Sequence, residues 1–290
     1  MDINKYRIFL QSVDCGSFSK VAEETGYTPS GIVHMMNTLE SEMGFPLLVR
    51  SRRGVRLTPD GERVAPIFRS LVKWEEQLQQ VSSDIRGAVS GSITLGCYYS
   101  IAVNWMPEVI RQFQKDFPNI KIQMLEAVHQ KLDDLLAEQR VDFCVFSAPP
   151  AGDVEWIPLR KDRMVAVLPE GHPLAKAESY PIANYGTEPL IMPAEGYDYD
   201  IMRVLDKHRI TPQVSYSTGE DNAALAMIEK ELGIGLMNEL TTVGRRNTAA
   251  ILPLDPPESI EMGIAVPSLK KASPAARRFI EYLVRELKEA

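Results

Sequence analysis

The stretch from Ser17 to Gly44, SFSKVAEETGYTPSGIVHMMNTLESEMG, leaves this part of the chain few ways to fold. Ser17 can cap a helix whose body is Lys20-Val21-Ala22-Glu23-Glu24. Gly26 follows at the point where a helix end or tight turn favours positive φ. Thr28 can cap a second helix, with Pro29 at its first position, where a missing N–H does no harm. Ile32, Met35, Met36, Leu39 and Met43 then share one face at three- and four-residue spacing. Helix, short Gly-containing turn and helix make a helix-turn-helix, a shape that can set its second helix in a DNA major groove. Many purely structural helix pairs share the outline, so the flanks decide.

Upstream, Ile3, Tyr6, Phe9, Leu10 and Val13 mark a packing stripe on a helix over residues 3–14. Downstream, Leu47–Arg50 and Val55–Thr58 are two β-like runs around Ser51-Arg52-Arg53-Gly54, a hairpin with a basic tip that reads as a wing. A long helix follows to about Arg86. On it Val64, Leu71, Leu78 and Ile85 fall seven apart, and Ile67, Trp74 and Val81 fall seven apart between them. That sustained heptad seam predicts a dimerising helix pair in preference to a helix lying only on its own domain.

Composition narrows the class. The net charge is −7, but residues 1–89 carry 11 basic and 11 acidic side chains, so this part is neutral and its basic knot Arg50, Arg52, Arg53 and Arg56 stands out. A local knot on a neutral domain suits DNA contact. Cys15, Cys97 and Cys144 have neither zinc spacing nor disulfide density, so no metal site is expected. Cys97 and Cys144 read as buried neighbours on adjacent strands and not as a redox switch. No basic region followed by a long apolar run opens the chain, and no segment is long and apolar enough for a membrane, so a cytoplasmic location is expected.

The small-residue run Gly87-Ala88-Val89-Ser90-Gly91 reads as a linker. Beyond it strands and helices alternate. The helices include Ile101–Phe117, Gln130–Gln139, Asp200–His208, Asn222–Glu231 and Ser273–Lys288. The strands include Trp156–Leu159, Met164–Leu168 and Ile260–Val266. Alternation over some 200 residues predicts parallel sheets covered by helices, in two lobes with a cleft between them.

In this order and spacing the chain resembles the LysR-type transcriptional regulators. The resemblance spans essentially all 290 residues. It is carried by Phe9, GSFSKVAEETGYTPS at 16–30, Leu39–Gly44, Leu47–Arg50 and Leu57–Gly61. Further on it rests on Trp105-Met106-Pro107, Phe113 to Pro118, Val141-Asp142-Phe143 and Leu232-Gly233-Ile234-Gly235-Leu236. It implies a winged helix-turn-helix over 1–58, a dimerising linker helix over 59–89 and a periplasmic-binding-protein-like effector domain over 90–290. That domain would have one subdomain of 91–160 plus 267–290 and another of 161–266. It also implies a dimer or tetramer on double-stranded DNA with dyad symmetry, contact with RNA polymerase, and a small-molecule effector. No cofactor is implied. Where the family often carries glutamine, serine and basic residues on its second helix, this chain has Pro29, Val33 and His34, and Thr28 to Leu39 contains no Lys or Arg.

The expected DNA contacts are Ser17, Thr28, Ser30, Gly31, Val33, His34 and Asn37, with Arg50, Arg52 and Arg53 of the wing. Arg50 could instead pair within its domain. The expected effector contacts gather where strands end: Tyr98, Tyr99, Ser100 and Ile101; His129; Ser147; Tyr197 and Tyr199; Thr218 and Glu220. Backbone N–H groups beside Ser100 would suit an anion, and four tyrosines suit a flat ligand, so the effector expected is aromatic or a monocarboxylate. An enzyme would need a catalytic constellation, yet the four His stand apart and no HExxH, GxSxG or P-loop is present. A plain solute-binding protein would need an export signal and no DNA-binding domain.

Overall fold

The computed structural model describes residues 2–51, 54–86, 89–147, 152, 154–244 and 248–288. Arg52 and Arg53 at the wing tip, and Gly87 and Ala88 of the linker, lie outside the described residues. The chain divides into two compact units, residues 1–91 with 138–140, and 92–137 with 141–290.

In the first unit each helix is set by its caps. Helix α1 (Ile3–Cys15) begins where the Asp2 carboxylate accepts the Asn4 N–H at 2.9 Å. Helix α2 (Phe18–Thr25) begins at Ser17, whose hydroxyl accepts the Lys20 N–H, and ends at Gly26 with φ 74°. Helix α3 (Pro29–Met43) begins at Thr28, whose hydroxyl accepts the Gly31 N–H, and ends at Gly44 with φ 82°. Only glycine takes these left-handed ends without strain. Ile32, Met36 and Leu39 of α3 are buried with Tyr6, Phe9 and Val21, and Met35 and Met43 pack against that core. Strands β1 (Leu48–Ser51) and β2 (Gly54–Leu57) pair antiparallel.

Helix α4 (Pro59–Ile85) is capped by Thr58 and has two apolar faces. Ala65, Phe68 and Val72 are buried on the unit's core, where the Phe68 ring stacks on Tyr6 at 4.2 Å and meets Phe9 edge-on at 5.4 Å. Ile67, Leu71, Trp74, Leu78, Val81 and Ile85 are exposed, Leu78 by 66% and Ile85 by 82%. Lying on its own domain and offering a heptad seam are thus not alternatives: this helix does the first with one stripe and leaves the other bare. Val64 is the exception in the seam, being half-buried against the unit's own core.

The second unit runs β3 (Gly91–Cys97), α5 (Tyr99–Asn104), α6 (Met106–Asp116), β4 (Ile120–Glu126), α7 (His129–Ala137), β5 (Phe143–Ser147), β6 (Glu155–Leu168), β7 (Tyr180–Pro181), β8 (Pro189–Met192), α8 (Tyr199–Lys207), β9 (Gln213–Ser217), α9 (Asp221–Glu229), β10 (Gly235–Asn238), α10 (Glu239–Thr242), β11 (Ala250–Val266) and α11 (Pro274–Lys288). Its main sheet has the order β10-β6-β11-β5-β3-β4, with β7 beside β11 and a separate parallel pair β8-β9.

Three expectations are corrected. The main sheet is mixed: β3 and β5 are parallel, but β11 lies antiparallel to both β5 and β6, and β10 antiparallel to β6. Charged residues 160–163 and the prolines at 253, 256 and 257 interrupt the apolar rhythm, so the sequence hides that β6 and β11 are long strands shared by both lobes. Met262–Ala265 of β11 pair with β5 of the first lobe, so the return crossing expected after Val266 lies nearer the register shifts around Glu258 and Met262. The single helix expected over 101–117 is two, broken at Trp105 just before Pro107, a residue tolerated only in a first helical turn.

Candidate functional site

On α3 the side opposite Ile32, Met36 and Leu39 is a polar stripe. Ser30, His34, Asn37 and Ser41 are exposed at four-, three- and four-residue steps, and Thr28 precedes them, its hydroxyl 3.2 Å from that of Ser30. Gly31 and Val33 are half-buried beside the stripe and Ser17 is half-buried at the start of α2. Six of the positions expected at DNA, from Thr28 to Asn37, therefore sit on or beside one side of α3 and its cap, and Ser17 caps α2.

The wing is tied to α3 through Glu40. Its carboxylate accepts the Leu47 and Leu48 N–H groups at 2.8 and 2.9 Å and the Arg50 guanidinium at 2.9 Å. Arg50 also lies over the Phe18 ring at 5.4 Å. Arg50 is therefore engaged inside its domain, the alternative weighed for it from the sequence. Arg56 on β2 is exposed. Gly54 begins β2 with φ 109°, and a Cβ there would lie 2.4 Å from the Gly16 carbonyl oxygen, so the turn requires glycine.

In the second unit a cavity of about 150 Å³ opens where the strands end. Tyr98 at the start of α5 and Ser147 at the end of β5 meet Asp200 in the first turn of α8, and His129 opening α7 meets Tyr98. The Tyr98 hydroxyl donates to Asp200 Oδ2 at 3.0 Å, and the Ser147 hydroxyl lies 2.7 and 2.6 Å from the two Asp200 oxygens. Tyr98 Oη is 3.0 Å from His129 Nδ1. With its proton on Nδ1, His129 donates to the Tyr98 oxygen and leaves the phenol proton for Asp200. Tyr199 stacks on His129 at 3.8 Å. Asp198 caps α8, its carboxylate accepting the Ile201 N–H at 3.0 Å.

Burial controls the charges. It pushes Asp198 up to about 7, with Asp200 and Asp221 adding like-charge repulsion. It raises Asp200, against the hydrogen bonds from Ser147 and Tyr98. It lowers His129 to about 4, assisted by Arg203, so this imidazole is neutral at pH 7.

Of the residues expected at the effector, Tyr98, Tyr99, Ser100, His129 and Glu220 line the cavity. Ile101 is fully buried in the core behind it, and Ser147 lies beneath the wall, reached only through Tyr98 and Asp200. Tyr199 supports His129 from outside the lining, Tyr197 is 64% exposed and Thr218 is not in the wall. The wall residues missed by sequence reasoning include Glu126, Asp200, Asp221, Met237 and Asn238. A signal for one of them was present: Asp221 directly follows Glu220 at the same strand-to-helix junction, as Asp198 lies between Tyr197 and Tyr199. Cys97 and Cys144 are both buried, as expected. Gly96, not Cys97, stands opposite Cys144, so the two thiols point to opposite faces of the sheet.

Residues 3–62 match the bacterial regulatory helix-turn-helix protein, lysR family, and residues 86–288 match the LysR substrate binding domain. The chain belongs to the LysR family of transcriptional regulators. It is a DNA-binding transcription regulator with an effector-binding domain, not an enzyme. This LysR-family chain is 28% identical over 290 residues to the HTH-type transcriptional regulator YvbU of Bacillus subtilis (strain 168), covering 99% of both. Its fold is that of full-length OxyR from Pseudomonas aeruginosa in a cysteine-to-aspartate variant, with TM-score 0.73, 20% identity and 99% and 98% of the two chains covered. The effector binding domain of QuiR, solved in complex with shikimate, matches with TM-score 0.63 and 22% identity, over 69% of this chain and 98% of that one.

Proposed function

We propose that this LysR-family regulator reads DNA with the exposed stripe of α3 and takes its effector in the cavity between β3, β5 and α8. The observation that carries the reading is the two-sided α3, whose Ile32, Met36 and Leu39 are buried while Ser30, His34 and Asn37 are exposed on the other side. His34 and Asn37 are the base-reading candidates, Ser17, Thr28, Ser30 and Gly31 hold phosphates through hydroxyls and N–H groups, and Val33 offers an apolar contact to a thymine methyl. Arg52 and Arg53 supply phosphate or minor-groove contact. The bare stripe of α4 pairs with a second copy, giving a two-fold protein for a two-fold operator. Tetramer formation, contact with RNA polymerase and a cytoplasmic location belong to the same reading. A cleft ligand shifts transcription only if it favours one arrangement of the protein over another.

The test is gel retardation of the full chain on DNA flanking its own gene. Retardation at low salt, weakened by Asn37→Ala and His34→Ala, is expected. No retardation at low salt, with or without a metabolite panel, would overturn the reading.

A further inference from the structure

The cavity's charge does not suit the aromatic or monocarboxylate effector expected from the sequence. Its wall contains the carboxyl groups of Glu126, Asp198, Asp200, Glu220 and Asp221 and, among the described residues, no Lys or Arg. Several of the side chains that could greet an anion are occupied. The hydroxyls of Tyr98 and Ser147 are turned on Asp200, which is only 6% exposed. The Asn238 amide donates to Asp162 at 2.7 Å, and His129 is uncharged and held against Tyr98. Asp200 thus sits where a ligand's carboxylate would otherwise be received, and the guanidinium closest to it, Arg203, stands 3.7 Å away on the same helix.

The opposite charge has partners left for it. Among the described residues Glu126 and Glu220 form no ion pair, both are exposed toward the opening, and they come from the end of β4 and the start of α9. No three of the acidic groups, His or Cys among the described residues converge closely enough to hold a metal ion. Carboxylates spread along a wall suit charge spread along an organic molecule. The rings of Tyr98 and Tyr99 in the same wall offer faces of the kind that attract ammonium groups.

We propose that the effector of this cleft is an organic cation, an amine or diamine protonated at neutral pH, with Asp200 taking the Tyr98 and Ser147 hydroxyls from within. The proposal rests on the cleft being the effector site. Glu220 and Glu126 receive the ammonium group nearest the mouth. Asp198 in the same wall meets the inner one. Tyr98, Ser147 and Asp200 remain bonded to one another.

The test is thermal stability of the full chain in 150 mM salt with four probes of matched length: n-butylamine, 1,4-diaminobutane, butyrate and succinate. A ligand that binds only the native state raises the melting temperature by mass action. The diamine is expected to raise it, n-butylamine to raise it less, and neither carboxylate to change it. Glu220→Gln and Glu126→Gln, both exposed carboxyls that accept no hydrogen bond among the described residues, are each expected to weaken the diamine's apparent Kd by about 10-fold, the loss of one charge contact. Asp200→Asn is expected to let succinate bind. A response to carboxylates with silent amines would overturn the cation and leave the cleft as the site. Silence from both amines would likewise overturn it. Gly219→Trp fills the cleft at a position with no heavy atom within 4 Å of the added Cβ. A diamine response that survives Gly219→Trp would place binding elsewhere and sink the effector reading itself.

Discussion

The first unit turns its polar groups out to solvent, and the second fastens its own to one another. In the first, Ser30, His34 and Asn37 are close in sequence, exposed, and held only by the helix that carries them. In the second, Tyr98, His129, Ser147 and Asp200 come from four separate elements and are fastened to one another out of solvent. A surface that meets a large partner can be written into a few turns of helix. A wall around a small molecule has to be assembled from strand ends far apart in the chain. Changes at the first should therefore alter binding with little effect on stability, whereas changes at the second should alter stability, and its pH dependence, along with binding.

The sharpest break of this contrast runs through α4, which has both kinds of face. Phe68→Ala removes a buried ring from between Tyr6 and Phe9 and is expected to cost about 3–5 kcal/mol in urea unfolding. Leu78→Glu, on the exposed stripe, is expected to leave the monomer's stability within about 0.5 kcal/mol. It should convert a dimer to a monomer in sedimentation equilibrium. A Leu78→Glu chain that remains dimeric would remove the seam from the account.

A smaller effect tests the inward-facing groups. Asp198 is raised to about 7 in the folded state, so the folded chain holds a proton there that the unfolded chain has lost. Stability from this source is full at low pH and is lost as pH rises through about 7. His129 acts with the opposite sign: lowered to about 4, it costs stability as pH falls below its ordinary value, and it contributes no change above about 6.5. The melting temperature is therefore expected to fall from pH 6 to 8, and Asp198→Asn, which keeps a capping side chain, to flatten that fall. An equal fall in the variant would remove Asp198 as its cause.

The smallest effect belongs to the wing. Arg53→Ala should weaken binding to all sequences alike and reduce the salt slope by about one unit. An unchanged slope would take the wing tip off the contact surface.

What could be read from the sequence follows the same division. Caps and glycines at 16–17, 26–28 and 44 are local signals, and the three N-terminal helices begin and end where those residues require. The heptad period exposed the seam on α4 but not the second stripe, Ala65, Phe68 and Val72, that lies against the core. The cleft was harder. Strand ends identified the right junctions, yet at the start of α8 the tyrosines drew attention while Asp198 and Asp200 face the cavity. Which neighbour in such a turn points inward is set by packing between lobes, and periodicity carries no trace of it. The mixed sheet was hidden for a related reason, because β6 and β11 cross between lobes through charged and proline-rich segments.

Footprinting of the full chain on duplex DNA upstream of its own gene tests the central claim, a two-fold reader that presents α3 twice. Two protected half-sites are predicted, related by a dyad, with centres about 10 base pairs or a multiple of that apart. Loss of both on Leu78→Glu is predicted as well. A single protected patch without symmetry, or protection that survives Leu78→Glu unchanged, would contradict it.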